Sequence, residues 1–229
     1  MHGVENSAYL GTRGDVQRLV PASTRAILDV GCAAGALGRA IKVSRPWVKV
    51  QGIERDEELA ARAECVLDNV VVVDLDCIGS LNRSGLGLFD CIIFADVLEH
   101  LKEPWAVVSF LVERHLCASG VVVFSLPNIS HVYTFVSLLQ LRWPYLERGI
   151  FDRTHLRMFA KKNIDELLDV NGLVLESLDR NLRIHDRPKH WLNRFSRFVD
   201  VPLVREYFTY QFLVVARKKD DLVNGGGVA

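Results

Sequence analysis

Four consecutive valines, Val70–Val73, and the run Cys-Ile-Ile-Phe-Ala at Cys91–Ala95 carry no polar residue on either face of an extended chain. A strand of that kind is stable only where both faces are covered, the situation of a parallel sheet packed between helices. Strand-like runs at Arg25–Gly31, Val48–Glu54, Asn69–Asp74, Phe89–Asp96, Gly120–Leu126, Leu173–Leu178 and Tyr207–Arg217 are interspersed with helical patterns at Ala36–Val43, Asp56–Leu67, Pro104–Leu116 and Lys161–Val170. Pro104 suits a first helical turn, and Asn171-Gly172 marks a helix stop followed by a turn. The alternation predicts an α/β fold with a Rossmann-like, doubly wound sheet of seven strands, mostly parallel. The last strand follows another strand candidate without a comparable covering helix, so it is expected to run antiparallel.

A chain of 229 residues is expected to form one domain, here spanning 1–218, and is long enough to bury a core without disulfides or metals. Two insertions interrupt the alternation, at 127–160 and 180–206, and segments of that length usually act as lids or binding loops. The tail 219–229, which ends Asn-Gly-Gly-Gly-Val-Ala, is expected to be disordered. Lys plus Arg equals Asp plus Glu at 28 each, so no basic surplus supports a nucleic-acid partner. The five cysteines form no Cys-x-x-Cys pair and several lie in apolar runs, which suits a reducing compartment. The N-terminal residues have no apolar signal core, and no stretch approaches the roughly 18 apolar residues of a membrane span. A cytoplasmic protein is expected.

The segment Arg-Ala-Ile-Leu-Asp-Val-Gly-Cys-Ala-Ala-Gly-Ala-Leu-Gly-Arg-Ala-Ile carries the strongest functional signal. A strand ending at Val30 enters Gly31-Cys32-Ala33-Ala34-Gly35 and then opens a helix, whose N-terminus favours anionic or acceptor groups. Glu54 closes the next strand 23 residues after Gly31, where a carboxylate can accept hydrogen bonds from ribose hydroxyls. Ala33 replaces the glycine that normally admits a pyrophosphate. Asp29 would repel phosphate but can anchor an ammonium group. An amino acid joined to adenosine fits these residues better than a dinucleotide.

On these residues the chain resembles the class I S-adenosylmethionine-dependent methyltransferases. The resemblance makes Asp29, Gly31, Cys32, Ala33 and Gly35 the cofactor loop and Glu54 the ribose ligand. It places Asp74 and Leu75 beside the adenine, and Asp96-Val97-Leu98-Glu99-His100-Leu101 beneath the methionine moiety, with Asp96, Val97 and His100 as contacts. The segment Gly149–Phe159 (Gly-Ile-Phe-Asp-Arg-Thr-His-Leu-Arg-Met-Phe), with Ser125-Leu126-Pro127-Asn128 and Gln211–Arg217, resembles a bacterial subfamily often encoded with glycosyltransferases. Its members are generally assigned to O-methylation of sugars or related small molecules. The Asn-Pro-Pro-aromatic turn of base-amine methyltransferases is replaced here by Ala95-Asp96-Val97-Leu98.

A sugar hydroxyl is a weak acid, so a positioned base matters. His155 is the candidate base, with an unperturbed pKa near neutrality. Asp152 would orient His155 or bind acceptor hydroxyls, and Asn128 and Arg157 would hold the acceptor, Arg157 favouring an anionic one. The competing reading makes Asp152, Thr154 and Arg157 a capped turn with a salt bridge. No third or fourth ligand at metal spacing stands out, so no metal is expected.

From Arg180 to Arg197 the chain is basic, and Trp191, Phe195 and Phe198 recur at helical spacing. This suits an amphipathic helix with its aromatics packed inward, a lid over a phosphorylated acceptor, or contact with anionic lipid. The expected function is methylation of a sugar, glycan precursor or related small metabolite. The alternatives are a quinone or phenol O-methyltransferase at the membrane surface and a non-catalytic cofactor-binding accessory protein.

Overall fold

The computed structural model describes residues 12–82, 85–185, 189–202 and 204–219. In chain order its elements are α1 (Gly14–Gln17), β1 (Ala26–Val30), α2 (Ala36–Ser44), β2 (Lys49–Glu54), α3 (Glu57–Glu64), β3 (Asn69–Val72), α4 (Ile78–Leu81) and β4 (Phe89–Ala95). There follow α5 (Pro104–His115), β5 (Leu116–Pro127), α6 (Val132–Leu139), α7 (Lys161–Val170), β6 (Leu173–Leu182), α8 (Arg205–Phe208) and β7 (Thr209–Lys218). Two stretches of 3-10 helix lie at Leu98–His100 and Trp191–Val199.

The strands make one sheet in the order β3-β2-β1-β4-β5-β7-β6. The first five are mutually parallel, and β7 is antiparallel to both its neighbours. The last strand therefore has the expected direction, but it enters between β5 and β6 rather than adding to an edge. Chain order reverses between β1 and β4, which makes the carboxyl ends of these strands the crevice where ligands bind in open α/β sheets.

Each face of the sheet carries its own core. Leu28, Val30, Ile92, Phe94, Val122 and Phe124 pack on one side with Val108 and Leu111 of α5 and Leu167 of α7. Ile27, Cys91, Ile93, Val121 and Val123 pack on the other with Leu37 and Ile41 of α2 and Ala60 and Ala63 of α3. Phe94 and Phe124 stack at 5.4 Å inside the first core. Full burial of side chains this size contributes about 1.5–3 kcal/mol each, which accounts for the unbroken apolar run Cys91–Phe94. The valine run behaves differently. As β3 is an edge strand, Val70 and Val73 are buried while Val72 stays 48% exposed.

Other boundaries shift for local reasons. Asp56 caps α3 by accepting from the Leu59 N–H at 2.9 Å, so the helix starts at Glu57. The insertions contain α6 and α8, which periodicity did not reveal. Trp191–Val199 winds as 3-10 helix, and Trp191, Phe195 and Phe198 are 58%, 44% and 65% exposed instead of packing on the domain. Lys219 is held by the Gly172 carbonyl at 2.9 Å and by Asp169; the rest of the expected tail, 220–229, lies outside the described residues.

Candidate cofactor and active site

The loop after β1 is shaped by left-handed backbone and by close packing. Gly31 and Gly35 have φ of 71° and 76°. A Cβ on Gly31 would lie 2.8 Å from Val97 Cγ2, and one on Gly35 would lie 2.8 Å from Val66 Cγ2. Both glycines are thus demanded by the chain's own packing as well as by their torsions. Ala33 adopts φ 47°, a conformation that costs an L-residue about 1–2 kcal/mol. Its N–H donates to Glu54 Oε2 at 2.9 Å, while Glu54 Oε1 accepts from the N–H groups of Arg55 and Asp56 at 2.8 and 2.9 Å. Glu54 therefore ties the loop to the end of β2. Cys32 is buried against Gly52, and burial pushes its thiol pKa up, so its side chain is packing.

Asp29 is 2% exposed, and its Oδ2 has no hydrogen-bond partner among the described residues. Burial pushes its carboxyl up to about 7, against the pull of the Arg13 charge, with Glu54 adding to the rise. An orphaned acceptor at the end of β1 suits the ammonium of an amino-acid cofactor, and the Glu54 carboxylate on the neighbouring strand suits its ribose. The residues present fit S-adenosylmethionine.

Arg13, which the sequence reading passed over, reaches across the crevice. It bonds Asp96 and donates to Ser125 Oγ at 2.7 Å and to Asp15 Oδ1 at 3.0 Å. Asp96 sits at φ 57° and also accepts from Ser125 Oγ at 3.3 Å and from Gln211. Asn181 donates to Asp15 at 2.9 Å. A cavity of about 510 Å³ opens beside this network, lined in part by Asp15, Asn181, Arg180, Arg183 and Arg197. The basic insertion thus contributes to a concave surface beside Asp15.

The segment Gly149–Phe159 folds back over the 3-10 turn after β4. The Leu156 and Arg157 N–H groups both donate to the Glu99 carbonyl, at 2.8 and 3.0 Å, and Phe159 is buried. This seats His155 with its side chain 6% exposed, Nε2 4.0 Å from Glu99 Oε1 and its ring edge-on to His100 at 4.8 Å. Burial lowers the His155 pKa to about 4, His100 acting in the same direction and Asp152 against it. Its imidazole is neutral at physiological pH. Glu99, 1% exposed, is raised well above the usual carboxylate range by burial, with Asp96 adding to the effect.

The other candidate side chains have partners within the fold. The Asp152 carboxylate accepts from the Thr154 N–H at 2.9 Å and hydroxyl at 2.7 Å, and its carbonyl accepts from the His155 N–H at 3.1 Å. Arg157 is turned away onto the Lys102 carbonyl and Glu103. Asn128 is fully buried, donating to the Glu206 and Thr209 carbonyls at 2.8 Å each and accepting from the Ser130 N–H at 2.9 Å. It clamps α8 and β7 to the end of β5 and has no free group for an acceptor. Asp74 closes a turn through the Asp76 N–H, while Leu75 points into the core with Leu81. The structure adds Glu99 beside His100 and His155, a neighbour that sequence spacing could not reveal.

A family model described as a methyltransferase domain matches residues 10–178. No curated protein sequence matches the chain. Among solved structures, the mitomycin 7-O-methyltransferase MmcR superposes with a TM-score of 0.60 and 14% identity over 93% of this chain; the chain spans 54% of that protein, about half its length. The plantazolicin methyltransferase BpumL, solved in complex with SAH, gives 0.60 and 14% over 93% of this chain and 86% of its own. A TehB-like SAM-dependent methyltransferase from Corynebacterium glutamicum gives 0.54 and 20% over 89% and 85%. At these identities the structural likeness establishes the fold.

Proposed function

The chain belongs to the methyltransferase-domain family, and on that premise we propose that it methylates a hydroxyl oxygen of a sugar, glycan precursor or related small metabolite, as in the glycosyltransferase-associated subfamily. S-adenosylmethionine is the expected cofactor; when bound, it supplies a methyl group already activated on a sulfonium. Asp29 and Glu54 would hold its ammonium and ribose. What remains for the protein is to place the acceptor and deal with its proton.

The observation that carries the reading is the seating of His155 between Glu99 and His100, directly after the Asp96-Val97 loop on which Gly31 packs. A neutral imidazole there has a lone pair available for activating a hydroxyl, and the cavity beside Asp15, to which Arg180, Arg183 and Arg197 contribute, suits an anionic or phosphorylated acceptor. The test is methyl-labelled S-adenosylmethionine with fractionated cell extract, alongside calorimetric titration with S-adenosylhomocysteine. Label should enter a saccharide or lipid-linked fraction, and His155→Ala should abolish transfer while leaving S-adenosylhomocysteine affinity intact. Glu54→Ala should weaken that affinity roughly tenfold or more, since hydrogen bonds to charged groups are worth about 1.5–3 kcal/mol. Unchanged turnover in His155→Ala would remove the assignment.

One observation favours a membrane-borne acceptor as a second reading. Trp191, Phe195 and Phe198 stand exposed in a row with ring centroids 6.2 and 6.3 Å apart, among Arg194 and Arg197. Aromatic rings among arginines suit a surface that meets anionic lipid.

A further inference from the structure

Glu99, His100 and His155 each offer a ligand atom, and the three atoms lie within 4.8 Å of one another. The hydrogen bonds around His100 show which of its ring nitrogens is free. Thr154 has a single hydroxyl proton and gives it to Asp152 Oδ1 at 2.7 Å. Its oxygen, 3.0 Å from His100 Nδ1, must then accept, as must the Thr154 carbonyl at 3.3 Å. His100 therefore carries its proton on Nδ1 and keeps a lone pair on Nε2. His155 turns Nε2 toward Glu99 Oε1 at 4.0 Å, beyond hydrogen-bond reach. Glu99 Oε2 is buried without a partner among the described residues, so the ionised form of this group is costly unless a cation meets it.

Two imidazoles and a carboxylate with an unpartnered oxygen, gathered within 4.8 Å, form the donor set of a divalent d-block cation. The bonds from His100 to Thr154 match the outer-shell contacts that orient a ligating histidine. We propose that Glu99, His100 and His155 bind a divalent cation of the zinc or manganese class, leaving coordination positions open for the acceptor hydroxyl. Filled tetrahedral sites have ligand atoms roughly 3.4 Å apart, given metal–nitrogen bonds of about 2.0–2.1 Å, so binding draws the triad together. The ion would lower the pKa of a coordinated hydroxyl, whose proton leaves to solvent. His155 then acts as a ligand in place of direct proton acceptor. The acceptor part of this inference rests on the methyltransferase reading; the cation site itself does not.

The test uses the full chain, stripped with EDTA and titrated with Co²⁺ alone by visible absorption and with Mn²⁺ alone by calorimetry. S-adenosylhomocysteine binding is measured on the same preparations. One equivalent should bind, with d–d bands and no thiolate charge-transfer band. Affinity should fall by ~100-fold or more in His155→Ala and Glu99→Gln, and by about 10–100-fold in Thr154→Val, which removes only an outer-shell partner. Cys65→Ser and Cys77→Ser, which delete exposed thiols, should bind as the parent does. Retained S-adenosylhomocysteine affinity in the three site variants shows that they fold. A thiolate band, failure of both ions to bind, or binding that survives both ligand substitutions overturns the proposal. Cation binding without S-adenosylhomocysteine binding would sink the methyltransferase reading and leave the cation site standing; the reverse would do the opposite.

Discussion

Asp29 shows how one side chain ties fold and function to pH. It lies in the middle of the sheet, paired in register with Gly52 and Ile93, so its carboxyl is dry whether or not a ligand meets it. With its pKa pushed up to about 7 by burial, the folded chain keeps a proton that the unfolded chain loses in the ordinary carboxylate range. The stability from that retained proton is fully present below the ordinary range and is lost as pH rises through about 7. The protein should therefore melt lower at alkaline than at mildly acidic pH, by several degrees at ~2–4 °C per kcal/mol for a chain of this size. Asp29→Asn should flatten that dependence without removing it, because buried Asp96 and Glu99 are also raised and supply a slope of the same sign, which the lowered His155 opposes on the acid side. Thermal melts across pH check this; an unaltered slope in the variant would mean that Asp29 stays ionised in the fold.

At the scale of elements, the stretch between β5 and α7 behaves as a clamp and a seat rather than a mobile loop. Asn128 begins it, bonding α8 and β7, and forms an isolated parallel bridge with Phe159 at its far end. The Ile129 N–H donates to the Phe159 carbonyl at 2.9 Å, and the Glu99 carbonyl collects two more N–H groups. Asn128→Ala would leave two buried carbonyls and one N–H unpaired, a loss of about 2–4 kcal/mol. Denaturant melts should show that loss, and S-adenosylhomocysteine should still bind the folded fraction with parental affinity. A variant of parental stability with a raised acceptor KM would instead make Asn128 the acceptor ligand that its place in the sequence suggested.

On the scale of the whole molecule, the charge balance of 28 against 28 hides an uneven surface. Apolar side chains of α6 are exposed, among them Phe135, Leu138 and Leu139, and Phe135 meets Tyr207 of α8 at 5.9 Å. The Trp191–Val199 aromatics add to this exposed apolar surface, with Arg194 and Arg197 among them. No helix among the described residues is long and apolar enough to cross a membrane. The chain should sediment with anionic vesicles at low salt and be released as salt rises, since screening weakens the arginine contribution. Retention in the supernatant at all salt concentrations would leave that surface to a lid over a water-borne acceptor.

What the sequence determined by itself is the sheet and the glycine turn after β1, because both are written in contiguous residues. Cys91–Ala95 allows only a covered strand, and Gly31 through Gly35 with Glu54 allows only a tight turn facing the end of the next strand. The direction of β7 was also legible, although its place between β5 and β6 was not, since pairing partners are chosen by the packing of the entire sheet. The acceptor side was the least legible. Asn128, Asp152 and Arg157 carry suitable chemistry but spend it on neighbouring backbone and side chains. Glu99 sits in a motif yet acquires meaning only when Gly149–Phe159 folds back and brings His155 to it. Tertiary structure decided these points because a polar group is available for chemistry only after the fold has settled which of its hydrogen bonds are already made.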